Sequence, residues 1–582
     1  MPSVLVLSTI LFPWLGAVII WLVGDRNRKA LNILAVLFSA AAGIASLMLI
    51  GGSSADTTLV IPFGGAFGDL SFRADGLGVL LTTIATVIGC LAVIFSIDYM
   101  KHEEQLARYY AFVLFFIGGM AGLVLTGSLM FMFLFWEITA LCSYALIAFH
   151  NDDPKAVKGG IKALIITQVG GVGLLVGALI IYSQTGSFEI NDFLSNPGMV
   201  PAGLLSFTAF GFLIAAAAKS AQFPFQTWLP DAMEAPTPIS ALIHAATMVN
   251  AGVYLLARFF PAFEGVPGWK TTVIVVGVIT ALMASIMGLV ATDLKRVLAY
   301  STVSQLGYMV YAVGLGAVYA AQFHLLSHAV FKALLFLAAG AVIHGVGTRD
   351  MRLMGGLGKK MPFVRNMFIV GALALSGIPI LNGFWSKELI LEAGLAEGPS
   401  WAYILMLAGA GITALYTLRC VWLVFFGAPR SDLHAHDAGP AMRTALIPLA
   451  LGSFLTWLLA SGLSTISHQT LPFHTIHDLT TMEMVREVAT APATLVALLV
   501  IAIGLACWIW RGKLASITRG LRFLSGWAEN SFGFEAVNSA IVKFTNSTAE
   551  SLRDLQTGYL NWNIFAVMGG LVLLLVILIW GA

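Results

Sequence analysis

Glu137, Lys219, His244, His324, His328, Lys332, Lys387 and Glu388 lie within or beside long apolar runs. Charge is costly there: a lysine at bilayer depth costs roughly 2.5–3.5 kcal/mol on insertion scales. A chain that keeps such groups has a use for them, and side chains of these types pass protons. His324, His328 and Lys332 stand at i, i+4 and i+8 in FHLLSHAVFKALLF, so a helix sets them on one face. Histidine titrates near neutral pH, and such a stripe can hold a water chain. A self-satisfied structural stripe is the plain alternative. A metal pair fits less well, because no carboxylate lies beside it on that helix. Glu137, in FMFLFWEITALCSY, needs a cation nearby to stay charged, and Lys219 is the partner that topology offers. A buried Glu–Lys pair is a two-state element that a nearby proton loosens; the alternative is a static ion pair between helices.

The elements that position these groups are interrupted helices. From Leu213 an apolar helix runs into Lys219, breaks at Pro224, passes a loop with Asp231, Glu234, Pro236 and Pro238, and resumes with His244. Proline frees a backbone carbonyl, which is tolerated at membrane depth only where protein or water satisfies it. A looser counterpart, LALSGIPILNGFWSKE, runs from Ala374 to the neighbourhood of Lys387 and Glu388. The two breaks fall an odd number of spans apart, which describes inverted repeats with a site near the midplane.

Composition sets the class. The 582 residues are 59% hydrophobic and 10% charged, far below the charge of a soluble domain. We expect an all-α polytopic membrane protein of about sixteen transmembrane helices, since apolar runs able to cross ~30 Å recur throughout. Residues 1–108 read as N-terminal helices with an external hairpin over Leu59–Phe72, 109–260 as a first five-helix repeat, and 271–427 as its inverted partner. Residues 443–510 add helices, 511–560 form a lateral amphipathic helix, and 561–582 hold a last span over Ile564–Ile579. The lateral stretch carries Leu521, Phe523, Leu524, Trp527, Val537, Ile541 and Phe544 at roughly helical spacing. The start of the chain lacks a basic leader and reads as the first span, not a signal peptide.

Basic residues cluster in alternate loops: Arg26, Arg28 and Lys29; Lys101 and Arg108; Lys155 and Lys158; Lys295 and Arg296; Arg349 to Arg365. The positive-inside rule places these loops in the cytoplasm and both termini outside, with Arg258 and Lys270 a partial exception. The net charge of +2 and the lack of a basic tract interleaved with aromatics point away from nucleic acid. Cys90, Cys142, Cys420 and Cys507 are scattered, which argues against a disulfide framework, zinc or an iron–sulfur cluster. GGLGKKM is not a phosphate loop, because Lys360 occupies the Ser/Thr position.

FPFQTWLPDAMEAPTPISALIHAATMVNAGVYLLAR, DLKRVLAYSTVSQLGYM and HLLSHAVFKALLFLAAGAVIH resemble the antiporter-like membrane subunits of respiratory complex I, Mrp-type cation/proton antiporters and membrane-bound hydrogenases. The resemblance covers nearly the whole chain. The amphipathic stretch and LQTGYLNWNIFAVMGGLVLLL look like the lateral helix and last span of the L-type subunit of complex I. The resemblance implies a proton-translocating membrane-arm subunit with no redox centre. Flavin, iron–sulfur clusters and quinone are then expected in partner subunits, and other membrane-arm subunits and lipid as its contacts. An energy-transducing membrane, such as a prokaryotic-type inner membrane, is implied as its place. It also implies roles: Glu137 matches the helix-five glutamate, Lys219 the helix-seven lysine, and His244 the helix-eight histidine. His324, His328 and Lys332 match the helix-eleven relay, and Lys387, beside Glu388, the lysine that hands the proton outward. Two departures stand out. Many L-type subunits have an Arg and an Asp in the sixth helix, where this chain has Gln168 and Gly171, and MEAPTP is similar to the Mrp large subunit. An Mrp-type Na+/H+ antiporter subunit is therefore the alternative; the lack of that subunit's extra C-terminal domain favours complex I.

Overall fold

Hydrocarbon offers a backbone N–H or C=O no partner, so the apolar runs fold as helices that satisfy themselves. The computed structural model describes residues 2–52, 58–62, 64, 67–514, 522–555 and 568. Two units, Met1–Ser525 and Gly526–Ala582, are distinguished.

Among the described residues of the first unit, 13 helices are long and apolar enough to cross a membrane, by length and composition. Three further segments expected to span differ for separate reasons. Leu294–Leu315 is helical and almost wholly buried, but Ser301, Thr302, Ser304 and Gln305 make it too polar to qualify. The run over Val364–Leu395 is two short helices, Pro362–Ser376 and Asn382–Glu397, because it breaks near Pro379 as expected. The expected span Ile564–Ile579 lies outside the described residues.

The interior belongs to Leu294–Leu315 and to two further segments. The best window of Thr237–Phe263 is 100% buried and that of Val318–Val346 is 89% buried, against 39% for the N-terminal helix. His244 and the His324–Lys332 stripe therefore sit at the centre. Around them, helices approach closely through paired glycines. A Cβ on Gly277 would come within 2.7 Å of the Gly307 carbonyl, and one on Gly307 within 2.8 Å of the Gly277 carbonyl. Gly173 and Gly211 face each other in the same way between Pro154–Thr185 and Ala202–Lys219.

The expected hairpin is present. Strands β1 (Thr58–Ile61) and β2 (Leu70–Arg73) pair antiparallel, with Leu59 opposite Phe72. Ser71 ties it to the bundle: its carbonyl accepts from Gly127 N at 2.9 Å, and its hydroxyl donates to Glu189 at 2.7 Å.

Nearby lies a buried ion pair between Arg258 and Asp75. Arg258 is not a loop residue that weakens the basic-loop pattern. It is inside helix Asn250–Phe263, 5% exposed, and donates to both oxygens of Asp75 at 2.5 and 2.8 Å. Tyr254 joins them and donates to the Val124 carbonyl at 2.9 Å. The loop after Thr470 closes over this end, with His474 Nε2 2.8 Å from the Ala257 carbonyl.

In the second unit, the amphipathic stretch is helical over Phe534–Leu555; Arg522–Glu529 is a separate helix before it. The two are separated at Ser531–Gly533, where Phe532 takes φ 52°. Val537, Ile541 and Phe544 form an exposed apolar stripe, as an amphipathic helix requires.

Two predictions follow from the Asp75 end. Asp75→Ala strands a buried guanidinium and should destabilise the chain by about 3–5 kcal/mol, read from thermal unfolding in detergent. Burial, with a smaller push from Arg258, lowers the His474 pKa from 6.5 to about 4. Between those values the unfolded chain binds more protons, so stability rises with pH. Acidification through that window should raise hydrogen exchange in the 471–480 loop, and His474→Gln should remove the dependence.

Candidate functional site

Helix Ala202–Lys219 ends at the lysine itself; the chain turns and restarts as the short helix Trp228–Asp231. The carbonyls left over at this break are met one by one. Ser220 N donates to Ala216, Gln222 N to Ala217, and the Trp228 indole to Ala218 at 2.9 Å. Lys219 is thus free to leave its own helix. Its fully buried ammonium donates to the Trp136 carbonyl at 2.8 Å and sits 4.8 Å from the Trp136 ring centroid.

That contact brings Lys219 to the Glu137 helix, Leu129–Ile147, but not onto the carboxylate. Glu137 and Lys219 interact through space without a hydrogen bond between them. The Glu137 carboxylate instead rests on Gly171: a Cβ there would overlap Glu137 Oε1. Gln168, one turn earlier, faces the same carboxylate. The two sixth-helix departures noted in the sequence are therefore the floor of the Glu137 site.

The second break is built on the same physics. Pro379 has no N–H, so the carbonyl four residues before it, Leu375, lacks a helical donor. Lys387 supplies one, at 2.8 Å. Gly377, at φ 79°, makes the turn, and a Cβ there would lie 3.3 Å from Lys387 Nζ. Glu388 is buried beside it and faces Thr494 and Glu392.

His244 sits on a third interruption, which no proline or glycine announces. Residues Leu242–Ala246 form a π-turn, and the helix resumes at Asn250. Such turns are frequent at functional sites. Thr247 donates to the Leu242 carbonyl at 2.6 Å and Asn250 to the Ala245 carbonyl at 2.9 Å. The polar spacing of Thr247 and Asn250 after His244 is the one sequence signal that could have found it. The His244 ring lies between Trp228 and Phe336, 6.2 and 6.0 Å from their centroids, and neither ring nitrogen has a protein partner.

The stripe on Val318–Val346 is as expected: His324, His328 and Lys332 are all fully buried. The two imidazole centroids are 6.4 Å apart. His324 bridges Ser386 Oγ at 2.9 Å and Gln305 Oε1 at 3.1 Å, which joins the stripe to the Lys387 helix. Lys332 donates to the Leu298 carbonyl at 3.0 Å and to the Ser301 hydroxyl.

A fourth lysine was missed. Lys295 reads as a plain topology signal, yet it is 2% exposed and donates to the Ala235 carbonyl at 2.6 Å. Above it is a lattice of ion pairs: Arg349 with Glu234 at 3.0 Å and Asp293 at 3.1 Å, and Asp231 with Lys162 at 2.7 Å and Arg296 at 2.8 Å. Through-space interactions then connect His244 with Lys295 and Lys332, and His324 with Lys387. Among the described residues no such interaction joins Lys219 to His244; Trp228 packs near the His244 ring and bonds Ala218, next to Lys219. No group of three or more His, Cys, Asp or Glu suited to a metal ion occurs among the described residues.

Residues 126–413 match the family described as NADH:quinone oxidoreductase/Mrp antiporter, TM, and 61–110 match the complex I chain 5 N-terminus. The chain is 37% identical over 552 residues to NADH-quinone oxidoreductase subunit L of Escherichia coli (strain K12), covering 90% of this chain and 87% of that one. The chain belongs to this antiporter-like family. It is also 44% identical over 385 residues to NAD(P)H-quinone oxidoreductase chain 5 of Synechocystis sp., covering 63% of this chain but only 56% of that relative's length. Among solved structures it is similar to a chain of the Mrp complex from Dietzia sp. DQ12-45-1b, with TM-score 0.85 and 28% identity. That match covers 100% of this chain and 63% of the other. Within the antiporter-like family the present chain is a multi-pass membrane protein whose polar interior is threaded between two interrupted helices.

The fit of Glu137 to Gly171 yields a test. Gly171→Ala should displace the carboxyl, seen as a shift of the infrared carboxyl band that Glu137→Gln removes. Gly203→Ala, with nothing within 4 Å of its Cβ, should leave that band unchanged.

Proposed function

We propose that this chain is a proton-translocating membrane-arm subunit of a complex I-type oxidoreductase. The observation that carries this reading is how the central lysines are held. Lys219, Lys332 and Lys387 each donate to a backbone carbonyl and bond no carboxylate. A carbonyl accepts from an ammonium and from a neutral amine alike, so each site outlasts the loss of its proton. A carboxylate would hold the charge in place.

Between the lysines stand His244 and His328, whose ring nitrogens have no protein partner, with Ser240, Ser327 and Gln226 oxygens in the same condition. Buried polar atoms of this kind are where ordered water binds. On this reading a proton is taken up near Glu137 and Lys219 and passes His244, Lys332, His328 and His324. It leaves past Lys387 and Glu388. Moving one charge against 100 mV takes about 2.3 kcal/mol, so the drive comes from outside the chain. Likeness to subunit L of an NADH-quinone oxidoreductase supports quinone reduction in partner subunits as that drive.

The chain then acts as the non-redox subunit of a translocase and carries no cofactor. Flavin, iron–sulfur clusters and quinone belong to its partners. Other membrane-arm subunits are its neighbours, with residues 511–560 as one contact. The basic-loop bias supports an energy-transducing membrane with both termini on the outer side.

A second reading, an Mrp-type Na+/H+ antiporter subunit, is favoured by the superposition on an Mrp chain over this chain's whole length. One experiment separates the two. In vesicles holding the assembled complex, Lys219→Ala and Lys387→Ala should lower redox-driven proton pumping by about tenfold or more, as for loss of a proton-transfer group, while quinone reduction persists. Unchanged pumping in Lys219→Ala overturns the assigned path. Sodium-dependent proton exchange without any quinone reduction supports the Mrp reading instead.

A further inference from the structure

At one end of the bundle a cavity of about 100 Å³ opens among Arg28, Lys29, Asn32, Ser96 and Lys101. It lies where helix Arg28–Ile50 begins, Gly76–Tyr99 ends and Leu106–Leu125 begins. These are ends of spanning helices, so the cavity sits at headgroup level. Its volume admits several waters, and so a phosphate group.

Three cations converge on it without an ion pair of their own among the described residues. Arg28 is held in place by neutral acceptors: the carbonyls of Lys101, at 2.6 Å, and Glu103. Asp25, the nearest carboxylate in sequence, instead caps the next helix at Ala107 N, 2.8 Å away. Lys29 and Lys101 are exposed at the rim. The sequence reading counted all three as topology signals; it did not bring the two loops together into one pocket.

A second feature points to the class of ligand. Ile33 and Leu37 follow Lys29 at i+4 and i+8, on the same helix face, and are 65% and 56% exposed. An apolar track therefore leads from the pocket toward the membrane interior. We propose that this pocket binds an anionic phospholipid, with its phosphate among Arg28, Lys29 and Lys101 and an acyl chain along Ile33 and Leu37. Basic pockets between spanning helices suit such headgroups. Free phosphate would use the same cations but leave the track empty. The bound lipid would brace the loop at Met100–Gln105, which Arg28 already grips.

The test uses the full chain in its assembled complex, purified in detergent and titrated with phosphatidylglycerol or phosphatidylcholine under native mass spectrometry. Phosphatidylglycerol should be retained in preference. Lys29→Gln and Lys101→Gln should each weaken its retention roughly fivefold, and Ile33→Ser should weaken it with the charges intact. Arg28 is left alone because its hydrogen bonds hold the loop; the two lysines are exposed, and their removal leaves the fold standing. Millimolar inorganic phosphate should leave the lipid bound. Equal retention of phosphatidylcholine, displacement by inorganic phosphate, or unchanged retention in the double lysine variant would each overturn the proposal.

Discussion

An ammonium in hydrocarbon needs an acceptor, and a broken helix in hydrocarbon needs a donor. At one break this chain meets both needs with the same bond. At the second break the arithmetic is direct: Pro379 removes the N–H that Leu375 would have used, and Lys387 reaches back to fill it. At the first break the order is reversed. The indole of Trp228 takes the Ala218 carbonyl, and Lys219 crosses to Trp136 on another helix. At the third, Thr247 and Asn250 occupy the loose carbonyls, so the imidazole of His244 keeps both nitrogens unbonded. What occupies each freed carbonyl decides which ionisable group is left without a bond at its own break.

The parts legible in the sequence were those with a local rule behind them. Proline marks two breaks because it lacks a donor. The i, i+4, i+8 spacing puts His324, His328 and Lys332 on one face because a helix has a fixed period. Alternation over Leu59–Phe72 gives a hairpin because strands turn side chains by halves. The parts not legible depend on distant chain. Arg258 reads as a loop charge until Asp75, 183 residues away, is beside it. Lys295 reads as a topology signal because basic residues at helix starts usually are. Only the loop ending at Ala235, folded over it, makes it an interior cation. Gln168 and Gly171 were visible as departures, but that Gly171 exists to admit a carboxylate needed the geometry of the facing helix.

The helix Leu294–Leu315 shows why hydropathy undercounts the spans of such a protein. Its polar residues disqualify it by composition, yet it is buried because it faces other protein and not lipid. It supplies Gln305 to His324, and Ser301 with the Leu298 carbonyl to Lys332. A more apolar helix would span more convincingly but would take Gln305 from His324 and the Ser301 hydroxyl from Lys332. Gly307 on the same helix lets Trp269–Val290 approach to backbone contact, so its small positions serve packing while its polar ones bond the buried His324 and Lys332.

The junction between Lys219 and His244 follows a different logic from the rest. An indole has one donor and no acceptor, and the single N–H of Trp228 is already given to Ala218. Trp228 therefore has no donor left for a neighbour, and the Gln222, Gln226 and Ser240 oxygens are buried without a protein partner. The short helix that carries Trp228 also carries Asp231, which Lys162 and Arg296 hold at 2.7 and 2.8 Å. The loop that follows is fixed by Glu234 to Arg349, and Arg349 to Asp293. The position of Trp228 is therefore set by the charges clustered at the end of the bundle. That cluster borders Lys295, so the interior cation and the indole beside His244 are positioned by the same ion pairs.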